Sequence, residues 1–188
     1  PLCEPYTLGI SSGSALGAVL GMSLQLPWIF SGLTGTAFIG AITFAGVLYL
    51  ISLRPGTSNL TLLLAGVMLG FLGSSLVAVW MALSEANGLQ NALFWQMGDL
   101  SRARLQGSIV SIVFSAILSG MLWMRSRELD ALLMGEEGAQ ALGISVGHVR
   151  RKVIFVTSLL VGLCVSGGGM IGFVGLVVPH FLRQYVGS

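Results

Sequence analysis

The chain has 188 residues, 54% of them hydrophobic and 9% charged, with a formal net charge of +2 and a mean hydropathy of +0.90. A soluble domain carries about 25% charged residues, so these values exclude a water-faced globule and point to lipid as the solvent. The fold class they predict is all-α: a polytopic transmembrane helical bundle, since helices satisfy their own backbone polar groups in hydrocarbon.

Charges delimit the elements, because one at the bilayer centre costs about 2.5 to 3.5 kcal/mol on insertion scales. The stretch between Glu4 and Arg54 holds two spans, split near Gln25-Leu26-Pro27-Trp28. Arg54 to Glu85 and Arg104 to Arg125 hold one each, and Lys152 to Arg183 holds two if it breaks at Gly167-Gly168-Gly169. The expectation is six spans over residues 8–26, 31–53, 60–83, 105–124, 149–166 and 170–187, or five if the last stretch is continuous. Placing Arg54 in the cytoplasm also places Arg125, Arg127, Arg150, Arg151, Lys152 and Arg183 there, leaving only Arg102 and Arg104 outside. The positive-inside rule therefore fixes the orientation.

The first predicted helix carries Gly9, Gly13, Gly17 and Gly21 at four-residue spacing, interleaved with serine and alanine. Such a bare face lets membrane helices approach closely, and tight packing is favoured over a direct part in substrate passage. The second span has Trp28 and Tyr49 toward its ends. A Pro-Gly turn follows in Arg54-Pro55-Gly56-Thr57-Ser58-Asn59. Thr57, Ser58, Asn59 and Thr61 are a small polar cluster, and helix capping accounts for Ser58 or Asn59. In the third span Ser74 and Ser75 line a path or bond to a packed neighbour. Beyond it, Leu89, Leu93, Phe94 and Met97 recur at helical spacing and predict a short surface helix, with Trp95 as an interfacial anchor.

The sizeable polar segment, 125–148, holds Glu128, Asp130, Glu136 and Glu137 and is the expected protein-contact surface. It reads as two short helices with Gly135 and Gly143 as breakers. Pro179 and His180 fall in the last span, where a proline is tolerated if neighbours satisfy the freed carbonyl. A structural hydrogen bond is the favoured role for His180, and Arg183 reaches the interface.

No Gly-x-x-x-x-Gly-Lys-Ser/Thr loop surrounds Lys152, so the chain is not expected to hydrolyse ATP. His148 and His180 lack a third ligand for a metal site. Paired intramembrane carboxylates, the mark of proton-coupled carriers, are absent from the predicted spans. Cys3 and Cys164 read as reduced packing residues, and no signal peptide is visible. The abrupt start at Pro1 reads as that of a fragment.

Three stretches carry a family resemblance. Pro1-Leu2-Cys3-Glu4-Pro5-Tyr6-Thr7-Leu8-Gly9-Ile10-Ser11-Ser12-Gly13 resembles the opening signature of FecCD-type ABC permeases, with Cys3 in place of the common alanine. Leu132 to Gly143 is similar to their cytoplasmic coupling segment. Gly172-Phe173-Val174-Gly175-Leu176-Val177-Val178-Pro179-His180-Phe181-Leu182-Arg183 resembles their Gly-Phe-x-Gly-Leu-x-x-Pro-His-x-x-Arg motif, which makes Pro179, His180 and Arg183 family-motif residues. The resemblance implies a ten-span permease fold of which these residues cover spans three to eight.

It further implies a membrane subunit of an ATP-driven importer of an iron chelate, haem or cobalamin across the bacterial inner membrane. The partners implied are a second permease, identical or homologous, two ATPase subunits carrying ATP and Mg, a periplasmic or lipid-anchored substrate-binding protein and membrane lipid, with no nucleic acid. No cofactor is expected on this chain. Leu132, Leu133, Gly135, Glu136, Glu137, Ala139 and Leu142 would sit in the ATPase groove, and Thr57, Ser58, Asn59 and Thr61 would form a cytoplasmic gate. The alternatives are a non-transporting membrane scaffold or receptor, and an ATP-independent secondary transporter.

Overall fold

The computed structural model describes residues 9–24, 33–54, 56–98, 105–171, 177–178, 181–182 and 184–185. Outside them lie most of the opening signature (residues 1–8), Trp28, Pro55, Arg102, Arg104, Gly172 to Leu176, and the motif residues Pro179, His180 and Arg183. Among the described residues the structure is all helical. In order the helices are α1 (Ile10–Leu24), α2 (Leu33–Ser52), α3 (Asn59–Leu83), α4 (Ala86–Met97), α5 (Leu105–Trp123), α6 (Ser126–Leu133), α7 (Glu136–Ala141) and α8 (Val146–Gly168).

Two of these are long and apolar enough to cross a bilayer, Thr34–Ser52 in α2 and Asn59–Leu83 in α3. A third is added if α5 is counted with α6, to which it is bent by 57°. α1 has 15 residues, which at ~1.5 Å per residue covers about 22 Å of a ~30 Å hydrocarbon core. α8 has 23 residues, but Arg150, Arg151 and Lys152 fall near its start, so its apolar stretch opens at Val153.

α1 is the centre of the bundle and packs against α2, α3, α4 and α8. Its residues from Ile10 to Ala15, with Gly17, Ala18 and Val19, are buried. The packing is backbone on backbone. A Cβ at Gly13 would meet Phe44 Cγ at 2.6 Å, one at Gly17 would strike the Thr36 carbonyl, and one at Gly21 would strike the Thr36 side chain. The facing residue on α2 is Gly40, where a Cβ would run into the Gly13 carbonyl. Gly9 approaches α3 instead, with Gly66 O 2.6 Å from where its Cβ would be. Lipid offers no hydrophobic drive for helix association, so this close fit supplies the attraction. Ser12 and Ser74 add a hydrogen bond between α1 and α3 at 3.3 Å, and the Trp80 indole N–H donates to Ser23 Oγ.

Trp95 is only 7% exposed, which corrects its reading as an interfacial anchor. With Ala92 it packs on Ala15, Ala18, Val19, Ala37 and Val77, while Leu93, Phe94 and Met97 point outward. The apolar spacing on α4 marks its outer face, and the buried face is the Ala92/Trp95 side. Gly169 makes this possible: its φ of +79° is open to glycine, and a Cβ there would collide with the Trp95 carbonyl.

Large apolar side chains remain exposed along α3 (Leu64, Met68, Phe71, Leu72, Leu76) and α5 (Ile109, Ile112, Val113, Phe114, Ile117). In water such faces would aggregate; helices apolar all round belong in a membrane.

Candidate functional site

Among the described residues the basic ones lie on the α2–α3 loop, the start of the α6–α7 hairpin and the first turns of α8. α5 ends at Trp123, and the bend into α6 is held by Arg125, whose Nη1 donates to Glu128 Oε1 at 2.7 Å and Oε2 at 2.9 Å. Glu128 also lies in the first turn of α6, where a negative charge complements the exposed backbone N–H groups. Gly135, at φ +98°, turns the chain into α7. Gly143, at φ +79°, ends the hairpin, and the Ile144 N–H donates to the Ala139 carbonyl at 3.0 Å. Ala131, Ala139 and Val146 form a small core of their own with Leu132 and Ile144.

That core divides the candidate coupling residues. Ala139 is fully buried and Leu132 half-buried, so both hold the hairpin together. Leu133, Met134 and Leu142 are 78%, 76% and 65% exposed, and Gly135 and Glu137 are exposed beside them. The hairpin backbone at Glu136 is helical. These exposed apolar side chains stand on the least hydrophobic part of the chain.

In the α2–α3 loop the candidate gate hydroxyls are engaged locally. Ser58 caps α3, its Oγ accepting the Thr61 N–H at 3.1 Å and meeting Thr61 Oγ1 at 2.9 Å. Thr57 Oγ1 donates to the carbonyls of Arg54 at 2.8 Å and Ile51 at 3.1 Å, closing the end of α2. Asn59 opens α3. Capping is therefore the observed work of Ser58, Thr61 and Thr57.

The loop and the hairpin side are joined by Arg150, whose charge in the sequence bears only on orientation. Arg150, on the second turn of α8, donates from Nη1 to the Thr57 carbonyl at 2.8 Å. Its neighbour Arg151 donates instead to the Gly147 carbonyl of its own helix at 3.0 Å. The only sequence signal was the cation run Arg150-Arg151-Lys152, which does not say which member reaches another element. Tyr49 and Phe155 add an edge-on ring contact at 6.2 Å between the end of α2 and α8.

Two cavities flank this junction. One of about 530 Å³ lies in the cleft between the end of α2 and the start of α8 and is lined by Tyr49, His148, Arg151, Lys152 and Phe155 among others. The second, about 430 Å³, lies between the hairpin and α8, with Arg125, Glu128, Ser145, His148 and Lys152 on its walls.

The family model for the FecCD transport family matches residues 1–188. The chain is 35% identical over 196 residues to a hemin transport system permease protein of Yersinia pestis, covering all of this chain and 58% of that protein. It is 35% identical over 188 residues to a cobalamin import system permease protein of Halobacterium salinarum, covering all of this chain and 50% of the relative. Among solved structures it is similar to an inward-facing conformation of a metal-chelate type ABC transporter, with TM-score 0.90 and 31% identity, covering 100% of this chain and 60% of the other. The chain thus spans between half and three-fifths of the length of these proteins.

Proposed function

Because the chain belongs to the FecCD transport family, we propose that it forms part of the permease subunit of an ATP-driven importer, lining a path for an iron chelate, haem or cobalamin across the bacterial inner membrane. The observation that carries this reading is the α6–α7 hairpin. It is a two-helix segment that shares a small core with the start of α8 and leaves Leu133, Met134 and Leu142 exposed, inserted between α5 and α8. A subunit with no phosphate-binding loop needs such a handle if ATP hydrolysed elsewhere is to move its spans.

In this reading the hairpin seats in a groove of an ATPase subunit that carries ATP and Mg, with Leu133, Leu142, Gly135, Glu136 and Glu137 at the contact. Leu132 and Ala139 brace it from behind. The basic end is cytoplasmic, in line with the positive-inside rule, and the Thr57–Thr61 loop is the inner gate. A second permease subunit, identical or homologous, completes the path, and a binding protein delivers substrate from outside. Six spans over residues 8–26, 31–53, 60–83, 105–124, 149–166 and 170–187 belong to the same proposal, with Pro179, His180 and Arg183 in the last. The names of the hemin and cobalamin relatives support the substrate class.

The test is uptake by the full-length protein in proteoliposomes with binding protein and ATPase, using labelled haemin, a ferric siderophore and cyanocobalamin as probes. Uptake of at least one probe that stops when the ATPase is catalytically dead is the expected result. Uptake that continues with the dead ATPase would overturn it in favour of a secondary carrier.

A further inference from the structure

We propose that Arg150 is a positioning residue that ties the loop ahead of α3 to the α6–α7 hairpin, so that displacement of the hairpin is delivered to α3. This rests on the reading of the hairpin as the ATPase-contacting handle.

The path is continuous in the structure. Ala131 of α6 and Ala139 of α7 pack on Val146 in the first turn of α8. Val149, one turn on, is also buried at 4% exposure, so the start of α8 is seated on its surroundings. Arg150 follows directly, and its Nη1 holds the Thr57 carbonyl at 2.8 Å across 93 residues of sequence. Thr57 is fixed to the end of α2 through its hydroxyl, and the next residue, Ser58, caps α3. A pull on the Thr57 carbonyl therefore acts on the first turn of α3, the helix whose Ser74 bonds Ser12 in the middle of the bundle. A partly buried hydrogen bond from a guanidinium is roughly twice as strong as a neutral one, and Arg presents a rigid fork where Lys presents a single flexible point charge. The acceptor is a main-chain carbonyl, so only the donor side can be removed by substitution.

The experiment uses the full-length protein assembled with its ATPase, with Cys3, Cys164 and any cysteine outside residues 1–188 replaced by serine. Two single-cysteine reporters are compared, Leu60→Cys in the first turn of α3 and Gln140→Cys on α7, both at exposed positions. Maleimide labelling rates are read without nucleotide and with ATP and vanadate. With Arg150 intact both reporters respond, Leu60→Cys by about tenfold, within the range usual for coupled sites. In Arg150→Ala the Leu60→Cys response falls to about onefold while Gln140→Cys keeps its own, and Arg150→Lys lies between. An undiminished Leu60→Cys response in Arg150→Ala overturns the tether, as does a Leu60→Cys reporter that is blind to nucleotide when Arg150 is intact. A Gln140→Cys reporter blind to nucleotide in the intact chain overturns instead the hairpin reading beneath it. Should Arg150→Ala fail to assemble, Arg150→Lys and Arg150→Gln carry the comparison, and equal loss at both reporters in them contradicts a positioning role.

Discussion

The interior around α1 and the junction at the basic end are held together by opposite means. Around α1, glycines bring backbones into contact, and hydrogen bonds such as Ser12–Ser74 and Trp80–Ser23 add to that packing. At the junction local bonds brace single elements, Arg125 to Glu128 and Ser58 to Thr61, while Arg150 to Thr57 crosses between elements, Ala131 and Ala139 pack on Val146, and Leu133 and Leu142 stay exposed. A close-packed contact of backbones has one arrangement and resists deformation. A contact made of a few hydrogen bonds can be remade in another geometry, so movement is expected at the junction and rigidity around α1.

Substitutions should separate the two regions. The largest effect is expected at the Gly17/Gly40 crossing. Gly17→Val places a branched side chain against the Thr36 carbonyl and the Gly40 backbone, and it should cost about 3 kcal/mol or more. Thermal unfolding in detergent would show this as a clear fall in Tm. Wild-type Tm in that variant would break the comparison from the interior side.

Next comes the junction. The pair Glu136→Lys and Glu137→Lys should weaken ATPase association by about tenfold, the scale of a ~1.4 kcal/mol loss, with Tm unchanged. Co-purification and unfolding measured on one preparation check both halves. A smaller effect is expected at the loop, where Ser58→Ala removes the α3 cap and should cost about 1 kcal/mol. Hydrogen exchange should then rise in the first turn of α3 and nowhere in α1. The smallest is Ser74→Ala, about 0.6 kcal/mol by analogy with interhelical bonds in membranes. A loss as large as that of Gly17→Val would mean that polar bonding, and not backbone approach, holds the interior.

Much of this was legible in the sequence for stated reasons. Long uncharged runs read as apolar helices, of which α2 and α3 are long enough to cross a bilayer, and a glycine every fourth residue leaves one helix face bare, so the close packing of α1 follows from its pattern. The turns at Gly135 and Gly143 show as glycines between amphipathic segments. What was hidden depends on residues far apart in the chain. Trp95 is covered because Gly98 and Gly169 let two elements meet closely, which nothing local to α4 announces. Gly40 looks like any glycine until Gly13 and Gly17 are placed opposite it. Arg150 is one of three consecutive cations, and only the fold selects it. Within the hairpin, periodicity did not distinguish Ala139, which is fully buried, from Leu142, which is exposed.

The exposed face of the hairpin is proposed to receive the motor. The direct measurement is the affinity of the full-length protein for its purified ATPase, with Leu133→Ser and Leu142→Ser combined and with Tm recorded alongside. A loss of about tenfold or more in affinity, the scale of truncating an interface anchor, with Tm unchanged is the predicted result. Full-strength assembly by the doubly substituted protein would contradict it.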